Sequence, residues 1–329
     1  MAEAQGARPI GPEIVHVGSA CRDVASDDPR GWRLGGGVTY ATLTTARLGL
    51  RTAAIIGVDD AARSASELDH MRAAGAELLL VPLREGPVYH NVETETGRVQ
   101  TCVQTGVPLP IPALPAAWLT APAWQLAPVA GEIGDPWAAA LPRNAYVGVA
   151  WQGLLRHLAA GERVTRRAPT ATPILARADL VGVSHRDVDP DTPIGALTAL
   201  LKPGARLVVT RGHEGGLVVT VGASGPEAAL RYAASPSPGE VDPTGAGDTF
   251  LAALISTVVR PTLAGRHGDG GHPELRFAAA AGALVVEGPG LAAVPDRHSV
   301  LARMDDARVD EVVSAASVGR VGASEPERG

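Results

Sequence analysis

The stretch Val241-Asp-Pro-Thr-Gly-Ala-Gly-Asp-Thr-Phe250 sets a Gly-Ala-Gly-Asp turn at the mouth of an apolar run in which Leu251, Leu254, Ile255 and Val258 share one stripe. That spacing predicts a helix over 246–259, the clearest in the chain. Backbone N–H groups in the first turn of a helix have no internal acceptor, and glycines let an anion come close to them. The helix dipole also favours negative charge there, so the turn reads as an anion site. Asp248 stands where a carboxylate can take a proton from an attacking hydroxyl. A glycine turn capped by an aspartate would be the bland explanation, but the length and order of this string argue against it.

Working outward, strand-like and helix-like segments alternate. Residues 13–18 read as a short buried strand, 38–50 as a helix with Leu43, Ala46 and Leu50 in register, and 52–58 as a strand. Residues 60–74 are helical in pattern up to Gly75, and 76–81 are apolar and strand-like. Downstream, 123–127, 145–149, 179–183, 206–210 and 217–221 are further strand candidates, and 273–287 is an alanine-rich helix. Buried-type strands separated by helices imply a three-layer α/β/α domain with a mostly parallel sheet, and ligands at the carboxyl ends of its strands. Two segments break the alternation. Residues 88–104 alternate polar with apolar around Glu95-Thr96-Gly97, as a hairpin exposed on one face would. The proline-rich 108–115 stretch is an extended connector.

Composition narrows the function. The chain has 329 residues, is 45% hydrophobic and carries a net charge of -6, which leaves no basic footprint for nucleic acid or an anionic membrane. Lys202 is the only lysine. No apolar run approaches the roughly 18 residues of a span, and the N-terminus has no signal-like pattern. A cytoplasmic protein acting on a small diffusible substrate is expected. Cys21 and Cys102 form no CxxC pair or disulfide framework and read as buried thiols. The glycine-rich 265–272 segment, with His267 and His272, reads as a solvent loop rather than a metal site.

The 241–250 string closely resembles the signature of PfkB, or ribokinase-like, carbohydrate kinases. Two more segments fall in that family's order: Gly35-Gly-Gly-Val-Thr-Tyr-Ala-Thr-Leu-Thr-Thr-Ala-Arg-Leu-Gly49 and Val208-Val-Thr-Arg-Gly-His-Glu-Gly-Gly216. The resemblance spans about residues 14–295. It implies a ribokinase-like domain over 10–304, with a small β lid drawn from about 10–40 and 85–105; the tail over 315–329, small and polar, reads as disordered. It also implies an ATP-dependent kinase that phosphorylates a hydroxyl of a sugar or polyol, with Asp248 as base and the amides of Gly245, Ala246 and Gly247 as the anion hole.

By the same resemblance, Asp23, Gly36, Gly37 and Tyr40 would meet the acceptor, with Asn91 and Arg98 reaching it from the lid. Thr210, Gly212, Gly215, Ala279, Gly282 and Val286 would border ATP. Asp187 would act on Mg2+ through water, and Asp242 and Thr244 would hold a monovalent cation such as potassium. Two departures from the family pattern stand out: Tyr40 replaces a common Asn, and Ser184-His-Arg-Asp187 stands in place of Asn-x-x-Glu. Val17-Gly-Ser-Ala-Cys-Arg-Asp23, Val129-Ala-Gly-Glu-Ile133, Trp151-Gln-Gly-Leu-Leu-Arg156 and Val285-Val-Glu-Gly-Pro-Gly290 are similar to the inositol-kinase-like branch, which implies a cyclitol acceptor. A nucleoside kinase and a non-catalytic nucleotide-binding relative are the alternatives, and a homodimer joined through the lids is the expected assembly.

Overall fold

The computed structural model describes residues 11–94, 97–265, 271–312 and 319–322. A ten-stranded sheet runs through the molecule in the order Val309–Val312, Gly225–Tyr232, Gly216–Gly222, Arg206–Thr210, Leu180–Ser184, Tyr146–Ala150, Ala123–Leu126, Ile14–Ser19, Thr52–Val58 and Glu77–Pro82. Strands Arg206–Thr210 through Glu77–Pro82 pair in parallel, and the three on the other side are antiparallel. Side chains alternate between two cores. Ile14, Ala54 and Ile56 pack with the helices Gly37–Arg47, Ala246–Val259 and Pro273–Val285, whereas Val15, Val17, Ala53 and Ile55 pack with Trp124 and Trp137 on the opposite face. That is the period of two expected of strands buried on both faces.

A second sheet has the order Glu162–Arg163, Gly97–Gln104, Val88–Thr94, Cys21–Val24, Trp32–Gly35. It is the lid, but with boundaries different from those expected. Ile14–Ser19 belongs to the large sheet, Gly37–Arg47 is a core helix, and Glu162–Arg163 adds an edge strand from far along the chain. The lid also exposes Val24, Val92 and Val103, more apolar surface than its sequence suggested.

Three other expectations change. The 60–74 helix divides into Asp60–Arg63 and Glu67–Ala73, where the Ser64 hydroxyl donates to the Ala61 carbonyl at 2.9 Å and serine–backbone bonding competes with helix. Strands Gly225–Tyr232 and Val309–Val312 went unforeseen because Pro226, Glu227, Asp310 and Glu311 mask their β character. Residues 266–270 of the glycine-rich loop lie outside the described residues. Within the described residues no group of three metal-ligating side chains occurs, and no helix is long and apolar enough to cross a membrane.

The tail is not wholly disordered: residues 319–322 dock on the 190–194 loop. The Ile194 N–H donates to the Gly319 carbonyl, the Val321 N–H to Thr192 and the Gly322 N–H to Pro190, at 3.1, 3.0 and 2.8 Å. Val321 is fully buried, and its carbonyl accepts from the Arg211 guanidinium at 2.9 Å. Burying a valine side chain stabilises by about 1.5–3 kcal/mol. Val321→Asp is therefore expected to lower the thermal midpoint by several degrees in calorimetry; an unchanged midpoint would show that the tail does not dock.

Candidate active site

The parallel strands deliver their carboxyl ends to one edge of the sheet, beneath the lid, and a cleft of about 1190 Å³ opens there. Ligand pockets run to about 300–1,000 Å³, so this cleft has room for a nucleotide and a sugar-sized acceptor side by side. Gly245 opens the Ala246–Val259 helix in the left-handed region, with φ 81°. A side chain there would be strained, and its Cβ would lie 2.2 Å from the ring of Tyr40. Tyr40, 2% exposed, therefore braces the turn on which the helix amides are presented.

Asp248 lies in the first turn of that helix and lines the cleft. Its carboxylate packs on Gly37, where any Cβ would come within 2.6 Å of Oδ1. Asp248 itself thus demands a glycine at position 37, a constraint the sequence did not reveal. Gly36, with φ 102°, makes the turn that brings Gly37 there. Burial pushes the Asp248 carboxyl up to about 6; Arg156 opposes that rise and Asp187 adds to it.

On the lid side, Asp23 accepts from Asn91 Nδ2 at 3.1 Å, and Asn91 in turn accepts from Gln100 Nε2 at 2.7 Å. The Cys21 thiol approaches the other Asp23 oxygen at 3.7 Å. All four residues line the cleft. Arg98 is paired with Glu93 in the lid hairpin, and its side chain lies outside the described residues. Nearby, the buried Glu132 accepts from the N–H groups of Ser19, Val129 and Ala130 at 2.9, 3.0 and 2.8 Å. Glu132 therefore pins two strand-end turns together, and burial raises its carboxyl.

On the opposite wall, Asp187 accepts from Gln152 Nε2 at 3.2 Å and from the Ser184 N–H at 3.1 Å, and burial raises its carboxyl. Thr210, Gly212, Gly215, Ala279, Gly282 and Val286 line the same cleft beyond it. Gly282 lets its helix approach the Ala246–Val259 helix: a Cβ there would meet the Ala246 carbonyl at 3.3 Å. Asp242 uses one oxygen on the Thr244 N–H, at 2.9 Å, and the other on the Gly290 N–H, at 3.2 Å.

Arg156, quoted in the Trp151–Arg156 string but given no role by the sequence, is part of this wall. Its guanidinium lies 5.6 Å from the centroid of the Tyr89 ring and donates to the Val129 carbonyl at 3.2 Å. It lines the cleft, and its positive charge favours the ionised carboxylates of both Asp187 and Asp248, opposing the rise that burial causes. In an arginine-rich chain its charge gave no signal; only the turn Trp151–Leu155 carries it from the end of a sheet strand into the cleft.

Residues 176–297 match the model of the pfkB family of carbohydrate kinases. A search of curated proteins finds no match. Among solved structures, a pyrophosphate-dependent kinase of the ribokinase family, in complex with a pyrophosphate analog and myo-inositol, is 20% identical with a TM-score of 0.66, covering 88% of this chain and 99% of that one. Arabidopsis thaliana ribokinase, complexed with ribose and ATP, is 18% identical with a TM-score of 0.63, covering 89% and 99%. The Methanocaldococcus jannaschii nucleoside kinase is 15% identical with a TM-score of 0.61, covering 90% and 99%. The family model thus matches the C-terminal part of the chain, and the chain along most of its length shares the ribokinase-like fold.

Proposed function

We propose that the protein transfers the terminal phosphoryl group of ATP to a hydroxyl of a cyclitol or sugar, with Asp248 as the general base. The observation that carries this reading is the placement of the Asp248 carboxylate, against Gly37, in the first turn of the helix opened by Gly245. Base and helix amides face one cleft, so a hydroxyl that gives its proton to Asp248 attacks a phosphoryl group whose developing charge those amides stabilise. Asp23, oriented by Asn91, accepts from acceptor hydroxyls; a carboxylate can take two at once. Arg156 offsets the charge that gathers between Asp187 and Asp248.

Asp187 suits Mg2+ only through water, because both its oxygens already accept hydrogen bonds; a bound Mg2+ would neutralise the phosphate oxygens. Asp242 and Thr244, beside the glycine turn, are the proposed ligands of a monovalent cation.

A cyclitol or sugar is favoured over a nucleoside because none of the three tyrosines lining the cleft is free to stack on a base: Tyr232 is buried and stacks on Phe250 with ring centroids 4.9 Å apart. Tyr40 lies on Gly245, and Tyr89 is 1% exposed with Arg156 over its ring. A second reading concerns the donor. The structural relative that uses pyrophosphate and the arginines of this cleft support inorganic pyrophosphate in place of ATP.

The pH dependence of turnover tests the base. A carboxyl titrating near 6 must lose its proton to act, so kcat/KM is expected to rise tenfold per pH unit below about 6 and to level off above it. A profile flat between pH 5 and 7 would remove Asp248 from that role.

A further inference from the structure

A short antiparallel ribbon, Arg156–His157 against Thr165–Arg166, sets Arg156 directly opposite Arg166. Like charges facing each other across a strand pair are destabilising. No salt bridge relieves that charge at Arg156, Arg163, Arg166 or Arg186 among the described residues; Asp187 and Asp248 act on Arg156, and Asp187 on Arg166, only at longer range. Elsewhere arginines find acids readily: Arg22 with Asp59, Arg30 with Glu67, Arg260 with Glu13, Arg303 with Glu287. Acids are in excess in a chain of net charge -6, yet none forms a salt bridge with these four among the described residues. All four line the cleft, and Arg166 Nε donates to the Arg186 carbonyl at 2.8 Å, which draws the cluster together. Arg163 continues it along the lid, on the strand paired with Gly97–Gln104.

A cleft wall of guanidinium groups without salt-bridge partners focuses a positive potential inward and matches the bidentate geometry of phosphate oxygens. We propose that Arg163, Arg166 and Arg186, with Arg156 at their inner end, form a second anion subsite, separate from the amides of Gly245 to Gly247, that binds a phosphate group not being transferred. The proposal rests on the phosphoryl-transfer reading for the origin of that phosphate, which is either carried by the acceptor or belongs to the part of the donor left behind.

Inorganic pyrophosphate is the probe, titrated calorimetrically into the full-length protein with no acceptor present, so the result stands apart from any turnover. The double variant Arg163→Gln/Arg166→Gln is expected to bind it at least roughly tenfold more weakly than wild type, and wild-type affinity is expected to fall as salt rises. Arg163→Gln alone, on an exposed edge strand, is expected to weaken binding several-fold and decides the matter if the double variant does not fold. Equal affinity in wild type and Arg163→Gln would overturn the subsite. In turnover, a KM raised only for the acceptor places the phosphate on the acceptor, and one raised only for the donor places it on the donor. Both KM values unchanged would overturn the proposal.

Discussion

Asp248→Asn is expected to lower kcat by about 10²–10⁴-fold, the range supplied by a positioned general base, while leaving KM for both substrates within a few-fold. The substitution is nearly isosteric, so the contact with Gly37 and the helix start are retained. What is lost is the proton acceptor. Burial already weakens this carboxylic acid, holding it up to about 6, and a carboxylate of that basicity is a better match to an alcohol's proton than an ordinary aspartate. A loss of less than tenfold in single-turnover measurements would mean that the hydroxyl is deprotonated elsewhere.

Gly245→Ala should be nearly as damaging, by a different route. Its φ of 81° costs an L-residue roughly 1–2 kcal/mol, and its Cβ would overlap the Tyr40 ring at 2.2 Å. The turn must move, and the first-turn amides move with it. Displacing charge-stabilising donors costs about 10²–10³-fold in kcat. Adding Tyr40→Ala opens the space and is expected to restore part of the loss, leaving the share due to backbone strain. If Gly245→Ala kept wild-type kcat, the amides at this turn would not hold the migrating phosphoryl group. If Tyr40→Ala restored nothing, the steric part of the argument would fail.

Much of this site was readable in the amino-acid order because its chemistry depends on backbone shape, which glycine records directly. The Gly-Ala-Gly-Asp turn and its amphipathic helix were legible, as were the parallel strands, whose continuous apolar runs reflect burial on both faces. Strands Gly225–Tyr232 and Val309–Val312, the last two on the antiparallel side of the sheet, were not, since their conformation comes from their pairing rather than from their own residues. Arg156 and Arg166 escaped notice for a related reason: only the folded ribbon places them opposite one another. Val321, a single apolar residue in a polar tail, gave no period at all and is buried solely by its contacts with the 190–194 loop. The split of roles between Gly36 and Gly37 likewise needed the position of Asp248, more than two hundred residues away in the chain.

The central claim is phosphoryl transfer to a polyol hydroxyl through Asp248. Its most direct test is donor consumption by wild type and Asp248→Asn side by side. ATP and pyrophosphate would each be offered with cyclitols, pentoses, hexoses, sugar phosphates and nucleosides. Turnover of one polyol class by wild type, abolished in Asp248→Asn, is the predicted result. Donor binding without turnover on any acceptor, or equal turnover by the two proteins, would contradict it.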